Sequence, residues 1–259
     1  MSLAAADVLA EAAAWVWVPE DAEEHRTDDY WLIAYPPHFA EPTVVTRIES
    51  PRPSGELIDE VLTVAAGMGR DDVVFRGLGE ATRPRGLDSM LLSRGAELVE
   101  TVAVLALNLR LPRPSLDAPP DVVVRQVLDL DDLSELDRIH VGVFGGERQT
   151  DEQLAVAFAR LAAQQDSPHF LAWRDGAAVG SAGHTVADDV LRLWGGACVP
   201  EARHSGVYRA LLDHRLRAGE ALGCRMALVK GRVETSAPIL RRAGFAEYGV
   251  ERSYLLSRP

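Results

Sequence analysis

The sequence predicts an α+β fold in which a mixed, mostly antiparallel sheet is flanked by helices, and three observations carry that expectation. After residue 121 the hydrophobic pattern alternates between periods in the order β-α-α-β-β-β-α-β-α-β, so hairpin-linked strands lead into strand–helix–strand crossovers. Before residue 111 a shorter run repeats the end of that order. Between the two lies Leu111-Pro-Arg-Pro-Ser-Leu-Asp-Ala-Pro-Pro120, whose four prolines in ten residues allow neither a helix nor a central strand and mark an extended linker. A chain of 259 residues at roughly 150 residues per domain makes one large domain or two modest ones. Its 47% apolar and 25% charged residues exclude a disordered or fibrous chain. The divisions are residues 1–111, a linker at 112–120, and 121–259.

The elements follow in order. Met1 to Val18 is apolar, but Asp7 and Glu11 interrupt it and it lacks a basic n-region, so it is expected to be an amphipathic helix more than a signal peptide. Leu9, Ala13 and Val16 are spaced as on an amphipathic helix. Strands are expected at Pro42 to Glu49, Asp71 to Arg76 and Glu97 to Arg110, with helices at Ser54 to Met68 and Arg85 to Arg94. Beyond the linker, Asp121 to Val127 is a β-branched strand, followed by a helix from Asp129 to Phe144. Thr150 and Gln153 form a capping box that opens a helix running to Gln164. Strands Pro168 to Arg174 and Ala178 to Val186 are joined by Asp175-Gly176, a two-residue hairpin signal. The strand Val190 to Val199 carries Gly195-Gly196 in its middle, which predicts a bulge. The helix Gly206 to Leu222 ends at Gly223; a strand Cys224 to Lys230, a helix Thr235 to Ala243 and a final strand complete the chain.

The two halves share a rhythm. Leu91-Leu-Ser-Arg-Gly-Ala-Glu-Leu-Val-Glu100 matches Ile239-Leu-Arg-Arg-Ala-Gly-Phe-Ala-Glu-Tyr248 in pattern, and Ser54-Gly55 falls where Ser205-Gly206 falls. This argues for a degenerate internal duplication.

Composition closes off several functions. The net charge of −12 disfavours a nucleic-acid binder and mildly favours a cationic or amine substrate. No window of ~18 to 20 uninterrupted apolar residues exists to span a membrane, and the expected location is cytoplasmic. The lone lysine, Lys230, gives Schiff-base chemistry a single candidate. Cys198 and Cys224 are too few for a disulfide framework or a four-cysteine zinc site, and are expected as free thiols at opposite ends of adjacent parallel strands. The seven histidines show no i, i+4 pair, so no metal site is expected, and there is no Walker A loop, H-E-x-x-H or G-x-S-x-G.

The chemistry-bearing stretch is Ala197-Cys-Val-Pro-Glu-Ala-Arg-His-Ser-Gly-Val-Tyr-Arg-Ala-Leu211, where a buried strand enters a turn and a helix opens at Gly206 between Arg203 and Arg209. Free N–H groups and the positive end of the helix dipole make an anion site there, and a pyrophosphate fits it. Arg203-His-Ser-Gly206-Val-Tyr208 resembles the R/Q-x-x-G-x-G/A phosphate loop of the GNAT superfamily of acyl-CoA-dependent N-acyltransferases, with tyrosine in place of the last small residue. The resemblance covers 121–259 through the element order and through Gly244-Phe245, similar to the family's "GF" segment. It implies a tandem GNAT-like fold and an N-acetyltransferase that moves an acetyl group from acetyl-CoA to a primary amine of a small molecule or peptide in a ternary complex. A non-catalytic acyl-CoA-binding or regulatory module is the alternative reading. The expected partners are thus the CoA thioester and an amine acceptor, with no nucleic acid and no membrane; a homodimer is open.

The resemblance also assigns roles. Backbone groups of Ala197, Cys198 and Val199 would pair with the pantetheine arm, and the amides of His204, Ser205, Gly206, Val207 and Tyr208, with Arg203 and Arg209, would hold the pyrophosphate. The tyrosine that many relatives use as general acid is replaced by Leu240. Ser236 stands about where relatives often carry an asparagine, and its hydroxyl is either a catalytic donor or a helix cap. His184 and Glu147 are candidate bases, each also readable as a packing or solvated residue. Cys198 has no partner histidine at a readable spacing and reads as a small buried residue. In the first half, Glu56, Asp59 and Glu60 crowd the start of the Ser54 helix, and no arginine stands three residues before Gly55. That half is expected to have lost the cofactor.

Overall fold

The structure is a computed structural model that describes residues 3–36, 43–163 and 166–258. In chain order the first half comprises α1 (Ala5–Ala14), β1 (Glu23–Arg26), β2 (Trp31–Ala34), β3 (Thr43–Thr46), α2 (Ser54–Gly67), β4 (Asp72–Leu78), α3 (Leu87–Ser93) and β5 (Glu97–Asn108). The second half comprises β6 (Val123–Gln126), α4 (Leu130–Phe144), α5 (Asp151–Ala163), β7 (His169–Arg174), β8 (Ala177–Ala187), β9 (Val190–Cys198), α6 (Val207–Ala221), β10 (Met226–Arg232), α7 (Ser236–Arg242) and β11 (Ala246–Ser257). The mixed α+β class with mostly antiparallel strands is the one the sequence predicts. The predicted strand start at Pro42 and helix end at Gln164 fall outside the described residues.

Local chemistry explains the boundaries. Thr150 and Gln153 form the reciprocal capping box: the Gln153 amide donates to Thr150 Oγ1 at 3.3 Å and the Thr150 amide to Gln153 Oε1 at 2.8 Å. Asp129 caps α4 by accepting from the Asp132 amide at 2.8 Å. The β7–β8 hairpin turns at Asp175 and Gly176 with φ of 51° and 80°, the signs a type I′ turn demands. On α1 the buried residues are Val8 and Ala12, while Leu9 is 39% exposed. The helix ends at Ala14. The buried stripe therefore lies one residue earlier than the expected Leu9, Ala13 and Val16, and Val16 instead packs beyond the helix with Ile33 and Tyr35.

Two compact units emerge. The N-terminal unit holds Ala4–Val104, Gly231–Pro238 and Glu247–Pro259; the C-terminal unit holds Leu105–Lys230 and Ile239–Ala246. In the N-terminal unit the strand order is β1-β2-β3-β4-β11-β5, with β3 and β4 parallel across the α2 crossover. The core of that unit gathers Leu32, Leu57, Val61, Phe75, Leu91 and Tyr254. In the C-terminal unit the order is β5-β10-β9-β8-β7-β6, with β5 entering by its last residues and the Leu109 amide donating to Arg225 O at 3.1 Å.

These units do not follow the division at the linker. The final strand runs antiparallel to β4, pairing Arg252 with Leu78 and Tyr254 with Phe75.

In the C-terminal unit, successive β7 side chains alternate between two cores. Leu171 joins Leu133, Leu136 and Ile139 of α4, whereas Phe170 and Ala172 join Val207 and Leu211 of α6. Cys198 and Cys224 are both free. Met226 pairs with Val190, so Cys198 stands eight residues further along β9; at ~3.3 Å per residue the thiols are over 20 Å apart, far beyond the ~7 Å limit for a bridge. Mass spectrometry of the unreduced, denatured protein should therefore find two alkylated cysteines per chain; an intramolecular bridge would contradict the β9–β10 register.

Candidate active site

The site begins where β9 leaves its parallel neighbour. The β9–β10 ladder runs from Val190↔Met226 to Leu193↔Val229 and then stops, although β9 continues to Cys198. On its other side the β8–β9 register slips between Ser181 and Gly183, and Gly195 takes φ +63°. This is the bulge that Gly195-Gly196 predicts. Such a break strands backbone carbonyls inside the protein, and each needs a donor. Arg215 of α6, 1% exposed, supplies them: its Nη1 donates to Gly183 O at 3.0 Å and to Trp194 O at 3.3 Å, and its Nε donates to Leu211 O at 3.1 Å. Burial lowers the Arg215 pKa, and the adjoining Tyr208 opposes that shift. The strands close tightly, since a Cβ on Gly183 would lie 2.1 Å from the Trp194 ring and one on Gly196 2.9 Å from the Tyr208 ring.

Past Cys198 the chain makes a single 3-10 turn at Pro200–Ala202 and enters the loop before α6. His204 and Gly206 take φ of 62° and 89°. The Ala210 amide donates to Gly206 O at 3.0 Å, so the amides of Val207, Tyr208 and Arg209 precede the first intrahelical donor. Arg174 Nη2 donates to Ser205 O at 3.1 Å while its Nε pairs with Asp121 at 2.9 Å, tying the loop to the start of the domain. Arg203, His204 and Arg209 are exposed, and Ala197 is buried. The expectation of an open helix start at Gly206 needs correction: a Cβ there would stand 2.5 Å from Pro119 of the linker. Burial pushes the Cys198 thiol up to about 11 against the pull of Arg203 and Arg215, so it carries no thiolate at neutral pH.

The three catalytic candidates are scattered. His184 is 3% exposed on the α6 side of the sheet, its ring 5.4 Å from Phe170, and burial together with Arg215 and His214 lowers its pKa to about 4. Glu147 is exposed in the loop after α4. Ser236 opens α7, half-buried, and Leu240 further along that helix is fully buried.

Sequence reasoning missed a cluster on the α4 side. His169, Gly183 and Trp194 form one cross-strand row, with the His169 and Trp194 rings 4.6 Å apart, edge to face. Trp194 is oriented by its Nε1 bond to Thr185 Oγ1 at 2.9 Å. His140 of α4 comes down onto the bulge, its Nε2 and Cε1 at 3.7 and 3.8 Å from where a Cβ on Gly195 would stand. It lies 5.6 Å from the Phe144 ring. The backbones of Gly195 and Ser167 approach the two imidazoles, yet His140 Nε2 and His169 Nδ1 close no hydrogen bond among the described residues. Burial lowers both pKa values; His169, further depressed by His140, falls to about 4. A test of histidine spacing along one helix could not find this pair, since it joins a helix to a strand 29 residues on. The available signal was a histidine on the apolar face of each element.

Residues 133–245 match the family model of the acetyltransferase (GNAT) family. Among solved structures, a GCN5-related N-acetyltransferase from Kribbella flavida aligns over 100% of this chain and 96% of its own at 16% identity and TM-score 0.67. A GCN5-related N-acetyltransferase from Sphaerobacter thermophilus aligns over 84% and 73% at 16% identity and TM-score 0.64. A tandem GNAT protein from the clavulanic acid biosynthesis pathway aligns over 93% and 85% at 14% identity and TM-score 0.62. At these identities the likenesses establish the fold. No curated protein matches. Among the described residues no helix is long and apolar enough to cross a membrane, and no group of His, Cys, Asp or Glu could hold a metal ion.

Two outcomes follow from this geometry. Gly206→Ala should destabilise the protein by about 1–3 kcal/mol in urea unfolding, because it adds a left-handed non-glycine residue and a clash with Pro119; an unchanged midpoint would show that the linker does not cover the loop. His169 and His184 are both depressed from an unfolded value near 6.5 to about 4. Their contribution is complete above pH 6.5 and is lost as pH falls from there through 4. Denaturant titrations should show roughly 2 kcal/mol or more lost between pH 7 and 4.5, and a flat profile would contradict neutral burial of the two rings.

Proposed function

We propose that the C-terminal unit binds acetyl-CoA and transfers its acetyl group to a primary amine by direct attack within a ternary complex. The observation that carries this reading is the end of the β9–β10 ladder at Leu193↔Val229, four residues before Ala197 and immediately upstream of a helix start flanked by exposed arginines. Backbone groups of Ala197, Cys198 and Val199, which no longer pair with β10, would take the pantetheine arm. The amides of His204 to Tyr208, with Arg203 and Arg209, would take the pyrophosphate. Tyr208 contributes through its amide only, because its ring is committed beneath Gly196. In this reading Ser236 and Glu147 remain candidates for proton transfer, and His184, enclosed under α6, serves the core.

The N-terminal unit is assigned no cofactor. The expectation that no arginine answers its carboxylates is corrected by the structure: Arg94 pairs with Asp59 and donates to Gly55 O at 3.2 Å, and Arg52 pairs with Glu60. Those guanidinium groups are spent on carboxylates, so none stands free to face a pyrophosphate at α2. Hydrogen bonds with Arg94 and Arg52 lower the Asp59 and Glu60 pKa values, which keeps both charged at neutral pH.

Calorimetric titration with CoA should give one site per chain. Arg203→Glu with Arg209→Glu, both exposed and replaced without strain, should weaken binding at least tenfold while leaving the unfolding midpoint in place. Acetyl-CoA with an amine panel, followed by thiol release, tests turnover. Two sites per chain, or unchanged affinity in the double variant, would overturn the assignment.

A further inference from the structure

The acceptor side of the reaction has no residue assigned to it, and the cluster on the α4 face of β9 offers one. Resting on the acetyl-CoA reading above, we propose that the acceptor is a monoamine with an apolar or aromatic stem, received at the His140–His169–Trp194 cluster, and that His140 takes the proton from its ammonium group.

Direction along β9 places the cluster. The pyrophosphate loop follows the C-terminal end of the strand, so an arm running back along Val199, Cys198 and Ala197 brings its reactive end toward Gly195 and Trp194. His140 Nε2 stands beside Gly195 at that point. Two imidazole nitrogens, His140 Nε2 and His169 Nδ1, lie buried there without a closed hydrogen bond, beside the backbones of Gly195 and Ser167, and in the tautomer that turns its lone pair to the cleft each can accept from a donor. An ammonium group brings three donors and satisfies both at once. The flanking surfaces are aromatic: Trp194 beside His169 and Phe144 beside His140. They suit an apolar stem and add attraction for its positive end.

The charges facing the pair rule against a polycation. From α4, Asp137 is the carboxylate whose field reaches His140, and it is 6% exposed and already engaged by Arg148 and the Gln149 side chain. From β7 the facing group is His169 itself, and from β9 it is the Gly195 backbone. Within that set the carboxylate is already engaged, so the cluster itself offers contacts to one ammonium and no counter-charge to a second; Glu147, exposed in the loop after α4, lies outside the set. Burial keeps both imidazoles unprotonated at neutral pH, and the field of Asp137, which opposes that shift at His140, makes His140 the better proton acceptor of the two.

The proton balance closes. One proton passes from the ammonium to His140 Nε2, which later releases it to solvent. The freed nitrogen lone pair forms the bond to the thioester carbon as the carbon–sulfur pair leaves on sulfur. The second proton of that nitrogen ends on the thiolate, giving an amide and CoA thiol.

The test uses the full chain with phenethylamine and spermidine as probes. In wild-type protein, long-range 1H–15N spectra should show the His140 and His169 nitrogens shifting on addition of phenethylamine while those of His214 stay in place; no shift overturns the proposal whatever CoA does. At saturating acetyl-CoA, thiol release should favour phenethylamine over spermidine by tenfold or more, and the reverse preference overturns the acceptor class. His140→Gln should lower kcat for phenethylamine about 100-fold, with the loss shrinking as pH rises and solution supplies the free amine, and with CoA affinity unchanged. Trp194→Leu should act mainly on KM. Full activity in folded His140→Gln overturns the proton-transfer role. Absence of CoA binding by calorimetry, with the imidazole shifts intact, overturns the cofactor reading alone.

Discussion

The site depends on one buried arginine. A strand that parts from its neighbour in the interior leaves carbonyl groups with neither sheet partner nor water, and every unmet group costs about 1–3 kcal/mol. Arg215 spans the break, meeting Gly183 O on β8 and Trp194 O on β9 while anchored one helical turn back at Leu211 O. A guanidinium suits this task because its fixed fork reaches several acceptors at once. Its charge is balanced by carbonyl dipoles and the adjoining Tyr208, not by a carboxylate. Because that donor set comes from α6, the helix that follows the Arg203–Gly206 loop also holds the splayed strand in place. Loop and strand are thus parts of one element pair, and a change in the position of α6 would move both.

Packing around that break is set by volume as much as by hydrogen bonding. Gly183 leaves room for the Trp194 ring on the α4 face, and Gly196 leaves room for Tyr208 on the α6 face. Tyr208 occupies the position at which the family's loop has a small residue. The departure is tolerated because its side chain turns into the sheet and away from the loop's amides. The proline-rich segment has a similar double role: Pro119 lies on Gly206, and Asp121 holds Arg174, which braces Ser205. A stretch that reads as a spacer is part of the loop's support.

What the sequence made legible was local. The capping box at Thr150, the turn at Asp175-Gly176, the bulge at Gly195 and the helix start at Gly206 each follow from a few neighbouring residues whose backbone demands are specific. The short strands β1 and β2 escaped detection. β1 is Glu-Glu-His-Arg with no apolar alternation, and β2 is only four residues long. The placement of β11 beside β4 escaped for another reason. Apolar alternation announces that a strand is buried, but it does not name the partner. The ion pairs of Arg52 and Arg94 were hidden for the same reason: Arg94 meets Asp59 across 35 positions of chain.

The histidine cluster shows where that boundary falls in the active site. The cofactor contacts proposed for β9 and the loop before α6 are mostly backbone ones, so they are announced by residues that permit a backbone shape, such as Gly206. Acceptor contacts are made by side chains brought from separate elements, and nothing in the neighbourhood of His140 or His169 names the other. Their meeting follows from two facets of the same strand pairing: β7 opposes His169 to Gly183, and the slip past Gly183 turns Trp194 and Gly195 toward α4. The bulge that accompanies the parting of β9 from β10 therefore also decides which side chains gather on the α4 face beside it. In this chain those side chains are imidazoles and aromatic rings, which bind a cation by lone pairs and ring faces. Such a surface works without charge of its own, and the protein's acidic balance of −12 can then act at long range, drawing an ammonium toward the molecule and leaving the final contact to neutral groups.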